Sequence, residues 1–304
     1  MTVSVSPTAE RTLDEPEVRM LVRQGAPHLA DLALQLVDEG WDNATWRLGD
    51  HLAVRVPRRS LAASLIEHEQ QSLPIIGRML DAVGVRTPVP VIAGEATSEF
   101  PWPWSIVPWI PGARALERPR SKNGSWAREL ARALGALHRP APANAPRNAV
   151  RGIPLIERDE RMSALLAQIS APTSEALARA WTAGIAAPPS SERVWIHGDL
   201  HPGNIIIEED HLAALIDFGD VTAGDPAYDL AAAWMAFDAD GRALFRRETE
   251  TRYDEATWTR ARAWAACVAA ILLTQSDDRE DYLTLGQATS AELLAEKIIP
   301  APAP

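Results

Sequence analysis

Cysteine is nearly missing: the 304 residues hold one, Cys267. A single thiol excludes an intramolecular disulfide and fits a reducing compartment. It sits in the apolar run Ala263 to Leu273, so a buried, inert thiol is expected. That run is too short to cross a bilayer. Met1 to Glu17 carries acids and lacks an apolar centre, so it does not read as a signal peptide, and a cytoplasmic protein with no membrane partner is expected. Positive charge is also short. The formal net charge of -11 argues against nucleic acid, which basic surfaces hold. It permits a cationic small molecule, although a solvated acidic surface produces the same number. No lysine precedes Lys122, and no internal repeat is present. What remains is ordinary for a soluble globular chain, with 46% hydrophobic and 23% charged residues. The length suits one large domain or two lobes with ample core.

Local patterns divide the chain near Pro108 to Gly112. Before it, helical spacing over Leu29 to Val37 predicts a helix on the outside of the first lobe, and Gly40 to Trp46 reads as a turn between strands. Strands are expected over His51 to Val56, Pro88 to Ile92 and Trp104 to Val107, with a helix over Ser64 to Leu80. After the boundary helices dominate: Trp126 to His138, Leu155 to Ile169, Ser174 to Ile185, Ala227 to Phe237, Glu255 to Thr274 and Tyr282 to Ile299. Short strands Val194 to Ile196 and Ile205 to Ile207 flank the most distinctive stretch of the chain. The Pro/Ala ending, Pro300 to Pro304, is expected to fray.

That stretch is His197-Gly198-Asp199-Leu200-His201-Pro202-Gly203-Asn204, followed by Ile216-Asp217-Phe218-Gly219. Each acid alone reads as a turn or cap residue. Together they form the set that phosphoryl transfer needs. One carboxylate, Asp199, orients the acceptor hydroxyl and takes its proton. An amide oxygen, Asn204, and a second carboxylate, Asp217, offer the hard oxygen donors that magnesium demands. Asp225 and Asp229 read as braces of this loop or caps of the helix near Pro226, and His197 as a structural residue fixing the loop backbone.

The two motifs resemble those of the aminoglycoside phosphotransferase (antibiotic kinase) family, which includes macrolide 2'-phosphotransferases, and the likeness runs from about Leu29 to Leu294. The resemblance implies an α+β, bilobal protein-kinase-like fold with a small antiparallel-sheet N-terminal lobe and a mainly helical C-terminal lobe. It implies a nucleotide-binding lobe over residues 1–107, a hinge at 108–112, and a C-terminal lobe over 113–304 carrying the catalytic loop and substrate helices. The donor would be ATP or GTP with Mg2+, and the protein a monomer. Kinases hold the α and β phosphates with a strand lysine paired to a helix glutamate. Here Leu52-Ala53-Val54-Arg55 stands at that strand, so Arg55 takes the role, or is a surface arginine on an edge strand. Glu69 is its partner, with Glu67 the alternative. Asp42, Asn43 and Thr45 replace a Gly-rich loop, or form a plain hairpin turn. Ile106 to Trp109 would meet the purine through backbone groups.

The acceptor is expected between the lobes, against the helices after Ala227. From Asp199 to Glu296 acids outnumber bases by about thirteen. That field suits a polycationic aminoglycoside, with Asp238, Asp240, Asp277, Asp278 and Asp281 as candidate lining acids. Trp234, Met235, Phe237, Trp258, Trp264 and Tyr282 would instead suit a macrolide ring, or pack the lobe. Macrolide kinases share the arginine strand but often have histidine where Asn204 stands. Of these residues Trp234, Asp238 and Tyr282 are the chosen acceptor contacts, and a macrolide phosphorylated at its 2'-hydroxyl is the favoured substrate. An aminoglycoside is the alternative. A metabolic sugar or alcohol kinase and a catalytically dead nucleotide-binding regulator are further readings.

Overall fold

The first helix, α1 (Glu15–Gly25), starts at a capping box: Asp14 accepts from the Glu17 N–H, and the Glu17 carboxylate accepts from the Asp14 N–H. The sequence expectations do not include this helix. Only Val18, Leu21 and Val22 are buried on it, a stripe too short to stand out. The structure is a computed structural model, and it describes residues 9–40, 42–276 and 279–296. Trp41, Asp277, Asp278, the end of the expected helix Tyr282 to Ile299, and the Pro/Ala ending lie outside the described residues.

Next come β1 (Leu34–Glu39), β2 (Asn43–Leu48), β3 (Leu52–Pro57), α2 (Ser60–Asp81), β4 (Ile92–Gly94) and β5 (Trp104–Pro108). The five strands form one antiparallel sheet in the order β1-β2-β3-β5-β4. The helix expected over Leu29 to Val37 is absent: a 3-10 turn, Pro27–Leu29, and a short irregular stretch lead into β1 at Leu34. Pairing with β2 overrides the helical spacing, and Leu36 and Val37 stay exposed on this edge strand. The register slips between Leu36 and Asp38, a bulge at Val37. Asn43 to Trp46, expected as turn, belong to β2. β4 begins at Ile92 rather than Pro88, because Pro88 and Pro90 have no N–H to give a ladder.

The second half contains β6 (Ala113–Arg114), α3 (Ala127–Leu137), α4 (Asp159–Leu166), α5 (Thr173–Ala186), β7 (Val194–Ile196), β8 (Ile205–Glu208), β9 (His211–Leu215) and β10 (Thr222–Gly224). It ends with α6 (Ala227–Leu230), α7 (Ala232–Ala236), α8 (Ala239–Glu248), α9 (Glu255–Gln275) and α10 (Glu280–Ala295). The helix expected over Ala227 to Phe237 is therefore two short helices, and α8 is an addition. Two small sheets, β6-β8-β9 and β10-β7, present the loops that follow β7 and β9.

Two cores result. Val54, Trp46, Leu21, Phe100 and Trp104 fill the sheet half, while the larger core joins α3, α5, α9 and the strands around the motifs. The long helix α2 links them, carrying Leu73, Ile76 and Leu80 into the second core against α3. α9 is the axis of the helical half and packs on α5, α6 and α10. Among the described residues no helix is long and apolar enough to cross a membrane. The fold is α+β, with an antiparallel-sheet N-terminal region and a helical C-terminal region.

Candidate active site

Asp199 sits on the loop leaving β7, and the loop is clamped from below. Asp229, fully buried at the start of the helical segment, accepts from the His197 N–H at 2.7 Å and the Gly198 N–H at 3.1 Å. His138 Nε2 lies 3.1 Å from the same carboxylate, and its Nδ1 is 2.6 Å from the Tyr253 hydroxyl. Buried carboxylates persist where such partners surround them. His197 Nε2 faces the Ile216 carbonyl at 2.9 Å, so it carries the proton, and its Nδ1 accepts from the Asp199 N–H at 3.3 Å. His197 thus ties the first motif to the second. Gly198 is left-handed, with φ 83°, and a side chain there would strike the Asp220 backbone.

Asn204 follows a turn whose donor, the Gly203 N–H, is capped by His201 Nδ1. The Asn204 side-chain N–H donates to the Asp199 carbonyl at 2.9 Å, which leaves its amide oxygen free to face a cation. The Ile216 N–H donates to the Asn204 carbonyl at 3.0 Å, bringing Asp217 beside Asn204. Asp217 has φ 61°, a strained conformation for a non-glycine residue that marks functional positions. These are hard oxygen donors and fit a magnesium ion. Among the described residues no group of three or more His, Cys, Asp or Glu side chains is arranged to hold a metal, so a metal here would take further ligands from bound phosphate or water.

Arg55 projects from β3, and its Nη1 lies 2.6 Å from both carboxylate oxygens of Glu69 on α2. Its Nη2 donates to Asp217 at 3.0 Å. Glu69 also accepts from the Phe218 N–H at 2.9 Å, which pins the second motif to α2. Burial pulls the Arg55 pKa down, but Glu69 and Asp217 outweigh it and hold the guanidinium charged. Burial pushes Glu69 up against the opposing pull of Arg55. Glu67, the alternative partner, is exposed on the other side of α2.

Arg55, Asp199, Asn204 and Asp217 border one cleft of about 610 Å³, within the range of small-molecule sites, while Glu69 stays buried behind Arg55 and does not line it. Asp42, Asn43 and Thr45 line its sheet side. Asp42 is ion-paired with Arg59, and Asn43 Oδ1 is buried without a partner. Val107 and Trp109 line the cleft, but Ile106 does not. The strand alternation turns Ile106 into the sheet core, and its carbonyl is taken by the Val91 N–H. The Trp109 N–H is likewise taken, by the His51 carbonyl at 2.8 Å.

At the far end, α9 offers Val268, Ile271 and Leu272, an i, i+3, i+4 apolar stripe. Tyr282 of α10 lies edge-on to His201 at 5.4 Å, and burial pushes its phenol up to about 12. Trp234 and Asp238 are not there. Trp234 is buried and donates from Nε1 to Glu296, and Asp238 caps α8 by accepting from the Gly241 N–H at 2.9 Å. Met235, Phe237, Trp258 and Trp264 are core residues. Asp240 is exposed away from the cleft, and Asp281 pairs with Arg279 at 3.3 Å. Asp225 pairs with Arg260 and caps the Ala227 N–H.

One cleft residue stands outside every motif. Arg151 donates from Nη2 to Asp199 at 3.0 Å and to Asp220 at 3.3 Å. Burial would raise the Asp199 pKa, yet Arg151, His201 and His197 hold it well below the usual carboxylate range. Burial pushes Asp220 up, partly offset by Arg151. The only local signal is turn chemistry around Asn148 and Gly152, which announces a loop and not its destination.

Residues 33–264 match the phosphotransferase enzyme family. A curated homoserine kinase from Phenylobacterium zucineum (strain HLK1) is 33% identical over 150 residues, 46% of this chain and 43% of that protein. The chain therefore spans less than half the length of that relative in the alignment. The GDP complex of wild-type aminoglycoside 2'-phosphotransferase-IIIa superposes with a TM-score of 0.70 at 17% identity, over 92% of this chain and 98% of that one. Macrolide 2'-phosphotransferase MphH from Brachybacterium faecium, as the apoenzyme, gives 0.62 at 20% identity, over 91% and 99%. At such identities the two structures share its fold. The family match covers well over half the sequence, and the chain belongs to the phosphotransferase enzyme family.

Proposed function

We propose that this member of the phosphotransferase enzyme family transfers the γ-phosphate of ATP or GTP to a hydroxyl of a small molecule, and that the acceptor is a macrolide at its 2'-hydroxyl. Residues 1–107 are then the nucleotide lobe, 108–112 the hinge, and 113–304 the catalytic and acceptor lobe. The observation that carries the chemistry is the meeting of Asp199, Asn204, Asp217 and Arg55 at one cleft. Asp199 accepts a hydrogen bond from the acceptor hydroxyl and takes its proton as the new O–P bond forms and the bond to the nucleoside diphosphate breaks. Arg55, held by Glu69, supports the donor phosphates. Asn204 and Asp217 would hold Mg2+, which neutralises phosphate charge when bound. Thr45 and Asn43 face the phosphates from the sheet side, and Trp109 packs beside the purine.

The far wall supports the macrolide. Val268, Ile271 and Leu272 present hydrocarbon to the cleft. The acids that border it are occupied: Asp42 by Arg59, Glu117 by Arg114, Asp217 by Arg55, and Asp199 and Asp220 by Arg151. Among the described residues only Asp38 lines the cleft without an arginine ion pair. A polycation would find few free carboxylates there, so an aminoglycoside is the weaker reading. The alignment to a homoserine kinase favours a third acceptor class, a small metabolic alcohol. A phosphate-transfer screen of macrolides, aminoglycosides and homoserine, each with ATP and GTP, separates the three. Transfer only to an aminoglycoside or to homoserine would overturn the macrolide assignment. No transfer to any hydroxyl compound would favour a nucleotide-binding regulator.

A further inference from the structure

We propose that Arg151 is a positioning residue for the transfer: its guanidinium bridges Asp199 and Asp220 and so selects the carboxylate oxygen that meets the acceptor hydroxyl. The inference rests on the transferase reading above. Arg151 precedes Asp199 by 48 residues and belongs to neither motif. Its loop is nevertheless built onto the floor of the cleft. Thr222 Oγ1 donates to the Pro146 carbonyl at 2.8 Å, and the Asn148 side-chain N–H donates to Asp220 at 2.6 Å. Asn148 Oδ1 then accepts from the N–H groups of Val150 and Arg151 at 2.9 and 3.0 Å, an Asx turn that sets the backbone under Arg151. Gly152 continues in the left-handed region at φ 64°, and a side chain there would press the Ala223 carbonyl at 2.8 Å.

The guanidinium is held on three sides. Nη1 donates to the Tyr228 hydroxyl at 2.6 Å, Nε to Asp220 at 3.3 Å, and Nη2 to both Asp220 and Asp199. The Tyr228 ring lies 5.7 Å from its carbon centre. A planar fork with this many partners cannot swing freely. It occupies Asp199 Oδ1 and leaves Oδ2, 3.5 Å from His201 Nε2, for the acceptor. Without the fork, Asp199 would lose the partner that fixes Oδ1 and be free to rotate, and two carboxylates would share the floor with no cation between them.

Arg151→Gln is therefore expected to lower kcat about 100-fold, the cost of a catalytic group displaced by an ångström. The KM values for nucleotide and acceptor should change by no more than about threefold, since neither binding wall is touched. Arg151→Lys keeps the charge but not the fork and should recover part of the rate. In an Asp199→Asn background Arg151→Gln should cost almost nothing further, because Arg151 acts through Asp199. An unchanged kcat, or an equal loss in the Asp199→Asn background, would overturn the inference. If Arg151→Gln does not fold, Arg151→Lys enters the same double-mutant cycle and the same outcomes decide. The transferase reading fails differently: wild-type protein would transfer no phosphate, or Asp199→Ala would keep its rate.

Discussion

Two arginines each hold two carboxylates in the same cleft, and they were built by different means. Arg55 stands on β3 between Glu69 and Asp217. Arg151 stands on an irregular loop between Asp199 and Asp220. The first node is dry at its Glu69 end, 1% exposed, and open at its Asp217 end, 49% exposed. The second has no such dry end: Asp199 is 35% exposed and Asp220 24%. A dry node fixes architecture, because breaking it strands a buried charge. A wetter node can yield to substrate. The Arg55 node therefore ties β3, α2 and the second motif together, and in the proposed transfer the Arg151 node aims the group that meets the acceptor.

The largest expected effect tests the second node at its centre. Asp199→Ala should lower transfer by about 1000-fold, within the range for loss of a general base, while nucleotide still binds. Calorimetric titration of nucleotide alongside a turnover assay checks both halves; a variant keeping most of its rate would remove Asp199 from the chemistry. Next, Arg55→Ala should destabilise the fold by about 3–5 kcal/mol, as expected when a buried pair loses one partner. It should also raise the nucleotide KM. Urea denaturation of Arg55→Ala beside Arg151→Gln sharpens the contrast: equal losses of stability would erase the distinction between the buried Arg55–Glu69 pair and the half-open Arg151 node.

Ile271→Ala lies away from both nodes. It should raise the acceptor KM about tenfold, in line with the loss of apolar contact in a binding pocket, and leave the nucleotide KM alone. Steady-state kinetics with each substrate varied in turn gives the answer. The smallest effect is a control. Asp254 caps α9 through the Thr257 N–H at 2.8 Å, and its hydrogen bonds to Thr257 hold its carboxyl below the usual range. Asp254→Ala should cost about 1 kcal/mol at neutral pH. Because the folded-state pKa is depressed, that stabilisation is present above the unfolded value near 4 and is lost as pH falls further. Thermal unfolding of both proteins at pH 7 and pH 3 should show the gap narrowing.

The contrast between the nodes also explains what could be read in advance. Arg55 was legible because it stands at the strand where kinases carry a lysine, and Glu69 because it sits in the helix pattern of the family the motifs resemble; only the fold separated Glu69 from Glu67. Asp199 and Asp217 stood out because each lies just beyond a short apolar strand, and Asn204 because it stands directly before one. The helix α3 announced itself by its stripe through Leu130, Leu134 and Leu137, and α9 by a long apolar run. Trp234 was misplaced because the pattern identified it as apolar and could not say which side of the wall it faces; the carbonyl of Ile106, expected to offer backbone groups at the hinge, accepts from the Val91 N–H instead. Leu29 to Val37 failed because an edge strand needs its partner to exist.

The amino-acid sequence by itself determined the reaction chemistry, since the acid, the amide and the second acid lie within two short segments whose spacing survives any packing. Only the tertiary structure decided which cations answer those acids on the acceptor side, and that hydrocarbon from α9 forms the facing wall. Spacing along a chain encodes contacts made within a few residues. Arg151 reaches Asp199 across 48 of them, through a loop held by Asp220 and Thr222, and that closure depends on the whole fold.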